Sequence, residues 1–141
     1  MSTRSAVKLN IPRVIQIDGC SCGAHCAYAI ARYYGVESVR DFDELYDPEG
    51  TTEDDLREFF EAKGLKPRRI YRPTVEKLRK EIRNGFPVLI STDEDHWAVV
   101  RGFSKGRIDV MDPSLVRSLF PSHSIKYFLD RWDRWAMAIR D

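Results

Sequence analysis

The residues best suited to covalent chemistry stand close together near the start of the chain. Cys20, Cys22 and Cys26 fall within seven residues. A nucleophilic cysteine needs a depressed pKa, a base and a donor for the developing oxyanion. Cys22 stands at the predicted start of a helix whose middle, Cys26 to Ala31, is apolar nearly all round. The unsatisfied N–H groups and the positive dipole end at a helix start favour a thiolate. Gly23 follows, so no Cβ crowds the approach. Cys20 lies in the preceding turn, Asp18 to Ser21, and is the competing nucleophile. Cys26 is one helical turn after Cys22 on the same face and reads as a packed free thiol. Gln16 lies six residues before Cys22, where its side-chain amide can reach across the turn to an oxyanion.

Three histidines are candidate bases. His25 is one turn along the helix from Cys22, among residues that read as buried. His123 falls in the polar stretch Pro121 to Ser124, where a capping or solvated role is expected. His96 opens a β-rich run after the loop Thr92 to Asp95, and Asp112 ends the next run. Folding Trp97–Phe103 back on Arg107–Met111 about Ser104 to Gly106 brings position 96 opposite position 112, give or take two residues. Side chains at that range meet in an antiparallel pair. A carboxylate there would fix the imidazole tautomer and stabilise its charged form.

The same cysteines admit a Cys₃His zinc site with Cys20, Cys22, His25 and Cys26. All four ligands would crowd a turn and the first helical turn, with no distant pair to close a loop. The reading therefore calls for no metal and no cofactor. Three closely spaced cysteines are also a poor disulfide framework and fit a reducing compartment, so a cytoplasmic location is expected.

These residues need a scaffold. The 141 residues fit one domain spanning 1–141, with 43% apolar and 32% charged residues. Lys plus Arg number 23 against 22 acids, a balance that argues against a dedicated nucleic-acid binder. No run approaches the ~20 apolar residues of a membrane span, and no apolar segment of a secretory signal follows Arg4 and Lys8.

Ala6 to Ile17 reads as an extended approach segment broken by Pro12. Helices are expected from Cys22 to Tyr34, closed by Gly35; from Val39 to Tyr46; from the Thr cap at 51–52 to Lys63, closed by Gly64; and from Thr74 to Asn84, closed by Gly85. Lys66 to Arg69 reads as a solvated strand. Pro87–Ser91, Trp97–Phe103 and Arg107–Met111 read as strands, the last two joined as a hairpin. Ser122–Trp132 reads as a helix and Trp135–Ile139 as a closing strand. The aromatic tail Tyr127, Phe128, Trp132 and Trp135 reads as core. Helices first and an antiparallel sheet second make an α+β fold.

The stretch from Gln16 through Cys22-Gly23 and an apolar helix to Tyr33-Tyr34-Gly35 resembles the nucleophile region of the C39-type papain-like cysteine peptidases. His96 to Gly102, Asp112-Pro113 and the tail from Phe128 to Trp135 resemble later motifs of the same family, in the same order. The resemblance implies a papain-like α+β fold with Cys22 as nucleophile, His96 as base, Asp112 as orienting residue and Gln16 in the oxyanion hole. Two departures stand out. Ser21 occupies a position where many members carry an acid. Many members are also fused to export transporters and cut leader peptides after a Gly-Gly pair, whereas this chain ends at Asp141.

Two classes of function follow. One is a peptidase acting on a peptide or protein, for example a leader or precursor peptide, or a relative that transfers or deamidates acyl groups by the same thiolate chemistry. The other is a non-catalytic module that keeps the fold and binds peptide. A module without catalysis has no need of all four residues, so the enzyme is the expected reading.

Overall fold

The computed structural model describes residues 6–16, 21–94 and 96–141. The turn expected at Asp18–Ser21, apart from Ser21, lies outside the described residues, as do the candidate Cys20 and residue 17. Element boundaries follow local chemistry. Helix α1 (Cys22–Tyr33) stops where Gly35 takes a left-handed φ of 71°. A short helix α2 (Asp41–Leu45) follows. Helix α3 (Glu53–Ala62) opens on a reciprocal capping box: the Thr52 hydroxyl accepts from the Asp55 N–H, and the Asp55 carboxylate accepts from the Thr52 N–H. Helix α4 (Val75–Arg83) opens on Thr74, which accepts from the Lys77 N–H.

Strands β1 (Val7–Lys8), β2 (Lys66–Arg69), β3 (Val88–Thr92), β4 (His96–Ser104), β5 (Arg107–Met111), β6 (Ser122–Ser124) and β7 (Trp132–Arg140) form one antiparallel sheet. Its order is β2-β7-β3-β4-β5-β6, with β1 pairing on β4. The fold is α+β, as the element order predicts. The basic segment Lys66–Arg69 lies on the open edge, where Pro67 is tolerated. β4 and β5 join through Lys105 and Gly106, both at positive φ, the conformation a two-residue hairpin loop demands.

Strand β4 lies in the middle of the molecule. Residues 98–103 are all buried, so both faces of the strand are covered. α1 and α4 pack against it, and α1 also meets α2 and α3. Leu56, Phe60, Leu78 and Ile82 are fully buried, as their helical spacing requires. β1 takes up pairing with β4 at Gly102, past Val100, where β3 stops. A Cβ at Gly102 would lie 2.6 Å from the Val7 carbonyl, so only glycine lets β1 approach this closely.

Three expectations are corrected. Ser122–Ser124 is not the start of a helix but strand β6, paired with Arg107–Asp109. The Arg107 guanidinium holds Ser122 there through its hydroxyl at 2.8 Å and its carbonyl at 2.9 Å. The helix, α5, spans only Ile125–Arg131 and is capped by Ser124. The aromatic tail also divides. Phe128 and Trp132 stack in the core, but Tyr127 is exposed, and Trp135 is half-buried with its ring N–H on Glu53 at 3.0 Å. The closing strand begins earlier than expected, at Trp132, and runs inside the sheet between β2 and β3.

Candidate active site

Cys22 is the first residue of α1, and its side chain is nearly buried. The first turn of the helix carries no acid to offset its positive end. The helix start presses on Thr51 and Trp97: a Cβ on Gly23 would stand 2.7 Å from Thr51 Cβ and 3.0 Å from Trp97 Cδ1. Gly23 thus serves close packing as well as access. Trp97 is fixed by its ring N–H on the Thr51 carbonyl at 2.9 Å, and its backbone N–H points at Cys22 Sγ at 3.5 Å.

His96 and Asp112 meet across the β4–β5 hairpin. Val99 pairs with Met111, so Ala98 is level with Asp112, and His96 lies two residues beyond on the same face. A register shift between Val100 and Gly102 sets this alignment. His96 Nε2 is 2.6 Å from Asp112 Oδ1, which also accepts the Ser114 N–H at 2.9 Å. The Cys22 side chain also acts on the ring. Burial pushes the imidazole pKa down. Hydrogen bonds to Asp112 and Cys22, with the charges of both, more than reverse that and raise it to about 9. The ring is thus favoured in its charged form beside a sulfur.

Gln16 is tied to the same corner. Its backbone N–H donates to the carbonyl of Pro113, the residue after Asp112, at 2.8 Å, and its side-chain oxygen is buried. The structure therefore brings Cys22, His96 and Asp112 together, with Gln16 beside the Asp112 loop. The other candidates are engaged elsewhere. His25 Nδ1 bonds the Ser21 carbonyl at 2.9 Å, and its ring meets Phe42 edge-on. His123 Nε2 bonds the Phe120 carbonyl at 2.8 Å. Cys26 is fully buried, and burial, then the charges of Cys22 and Asp112, pushes its thiol pKa up. Among the described residues, no group of three or more His, Cys, Asp or Glu is placed to hold a metal.

Thr51, packed on Gly23, and Trp97, whose N–H faces Cys22, are neighbours of the helix start that sequence reasoning missed. Alternation places Trp97 on the face opposite His96, and nothing local reveals that its main chain faces a sulfur 75 residues away. Trp97 and Trp135, in edge-to-face contact at 5.0 Å, also wall an open cleft of about 530 Å³. Thr51, Glu53, Ser91, Glu94 and Asp133 complete its lining. A second cleft of about 520 Å³, between β2 and α4, includes none of the candidate residues.

A helix that carries a cysteine at its start, packed on an antiparallel sheet that carries a histidine and an aspartate, defines the papain-like class of folds. The model of the Peptidase C39 family matches residues 10–140, and the chain belongs to that family. Solved structures agree in fold. A double glycine motif protease from an AMS/PCAT transporter, solved with its leader peptide, superposes with a TM-score of 0.79 at 19% identity, covering 98% of this chain and 95% of that one. The peptidase domain of Streptococcus ComA, a bi-functional ABC transporter, gives 0.72 at 24% identity over 93% and 98%. A C39-like peptidase from Bacillus anthracis gives 0.72 at 17% over 97% and 98%. At these identities the likeness is one of fold. No curated protein matches the chain. No helix among the described residues is long and apolar enough to cross a membrane.

Proposed function

We propose that the chain is a cysteine peptidase that cuts a leader or precursor peptide, with Cys22 as nucleophile, His96 as its base, Asp112 as the orienting carboxylate and Gln16 in the oxyanion hole. The observation that carries this reading is the row Cys22–His96–Asp112, in which one imidazole bonds a buried carboxylate at 2.6 Å and interacts with the Cys22 side chain. The Cys22 thiolate attacks the scissile carbonyl while His96 holds the proton. The oxyanion is met by the Gln16 amide and the N–H groups at the start of α1. Such a donor contributes about 10²–10³ in rate. The imidazolium gives its proton to the leaving amine as the tetrahedral intermediate collapses to a thioester. His96 then takes a proton from water, which hydrolyses the thioester and frees Cys22.

Family membership supports the peptidase chemistry, and the transporter-borne leader proteases of the same fold support a leader peptide as substrate. The test is digestion of a peptide library that includes double-glycine leaders, with fragments mapped by mass spectrometry. Wild-type protein should cut a defined subset, and Cys22→Ala should cut none. Cleavage that survives in Cys22→Ala would remove the mechanism.

A further inference from the structure

Behind the His96–Asp112 pair lies a row of alternating charges. Arg117 opens a 3₁₀ turn, Arg117–Leu119, that follows the Asp112 loop. Its Nη1 donates to Asp93 Oδ2 at 2.9 Å and stands 3.9 Å from Asp112 Oδ2. Arg131, the last residue of α5, grips the other side of Asp93. Its Nη2 reaches Asp93 Oδ2 at 2.6 Å and its Nε reaches Oδ1 at 3.3 Å, while its carbonyl accepts the Asp93 N–H at 3.0 Å. Asp93 lies in the turn between β3 and β4, three residues before His96. One nitrogen of Arg117 therefore bridges the carboxylate that holds His96 and the turn that delivers His96.

That turn needs an external hold. Asp93 and Glu94 have φ of 52° and 71°, so two successive residues with side chains occupy the left-handed region. Asp93 is restrained by Arg117 and Arg131, and the Glu94 N–H by the Asp133 carboxylate at 2.9 Å. The Arg131 hydrogen bond outweighs the opposing effect of burial. Together with the charges of both arginines, it keeps the Asp93 carboxyl below its usual range, so the hold stays ionised at working pH.

We propose that Asp93 and Arg117 are positioning residues, a charged clamp that sets the His96 ring against Asp112 and so against Cys22. The inference rests on the catalytic reading given above. His96 is faced by Asp112 from the end of β5 and by Cys22 from α1. Asp112 is faced by His96 and Arg117, and its charge is also felt by Cys26 of α1 and His123 of β6. Asp93 is faced by Arg117 and Arg131, and Arg131 also takes the Tyr127 hydroxyl at 2.9 Å. A loosened clamp weakens the Asp112–His96 bond, lowers the imidazolium population and moves thiolate formation to higher pH. By charge alone, loss of Arg117 would also raise the thiolate midpoint, whereas loss of the Asp93 carboxylate would lower it, so Asp93→Asn separates a clamp from a mere nearby charge.

The experiment is the pH dependence of iodoacetamide alkylation of Cys22, mapped by mass, in the full chain. In Arg117→Gln the alkylation rate at pH 6 should fall about tenfold and the midpoint should rise by about one pH unit. Asp93→Asn tolerates the left-handed backbone and should shift the midpoint in the same direction with the fold retained. Arg117→Lys should stay within about twofold of wild type. Wild-type behaviour, or faster alkylation at pH 6, in either folded Asp93→Asn or folded Arg117→Gln would overturn the clamp. His96→Ala separates the two readings. If it leaves the low-pH reactivity of Cys22 intact, the catalytic row itself is wrong and the clamp falls with it. If it abolishes that reactivity, the row stands and the clamp is judged on its own variants.

Discussion

His96 Nε2 lies 2.6 Å from Asp112 Oδ1, although Asp112 stands level with Ala98 in the sheet and not with His96. The contact is a diagonal one, made across the end of a hairpin whose register shifts near Arg101. On the proposed mechanism this bond sets the charge available to Cys22. Asp112→Asn should therefore slow both peptide cleavage and alkylation of Cys22. On the same proposal Gln16 acts on the oxyanion, so Gln16→Ala should lower kcat by about 10²–10³ with little change in KM and almost none in alkylation rate. Equal effects of the two substitutions on alkylation would show that one role is misassigned.

The three cysteines differ in what they should do. Cys22→Ala should abolish turnover and keep the fold, since a small side chain replaces another at a packed helix start. Cys26→Ala should keep activity and lose about 1 kcal/mol of stability from the vacated core volume. Activity assays and thermal melts on both variants decide this. Wild-type turnover in Cys22→Ala, with loss in Cys20→Ala, would move the nucleophile to Cys20.

Stability should depend on the charge of His96. Its pKa is about 9 in the folded state against an ordinary 6.5, so folding favours the protonated ring. The resulting stabilisation is fully present below about pH 6.5 and is lost as pH rises through about 9, up to about 3 kcal/mol in all. Denaturant melts from pH 6 to 10 should show this decline in wild type and much less of it in His96→Gln. An equal slope in both would assign it to other groups.

Gly23→Ala probes the packing that seats the nucleophile. The new Cβ would enter the space of Thr51 and Trp97, and overpacking of this kind costs about 1–3 kcal/mol. Displacement of the helix start should also weaken the Trp97 N–H contact with Cys22. Activity should fall more than the melting temperature suggests. Adding Thr51→Gly should recover part of both losses, and a double variant no better than Gly23→Ala would place the strain elsewhere.

Much of the fold was legible because its signals are local. Thr52 and Thr74 cap helices whichever surface those helices later meet, and Gly35, Gly64 and Gly85 end helices because their left-handed φ suits glycine. The hairpin distance between His96 and Asp112 followed from counting along two strands. β6 was not legible: Ser122, His123 and Ser124 carry no alternating pattern, and pairing with β5 alone makes them a strand. The contacts of Thr51 and Trp97 with the start of α1 were equally hidden, as was the Arg117 bridge from Asp93 to Asp112. Capping, periodicity and turn chemistry act over a few residues and are written in the order of the chain. Which backbone N–H meets a sulfur, and which guanidinium lies between two carboxylates, depends on how distant segments pack. Only the folded chain decides those.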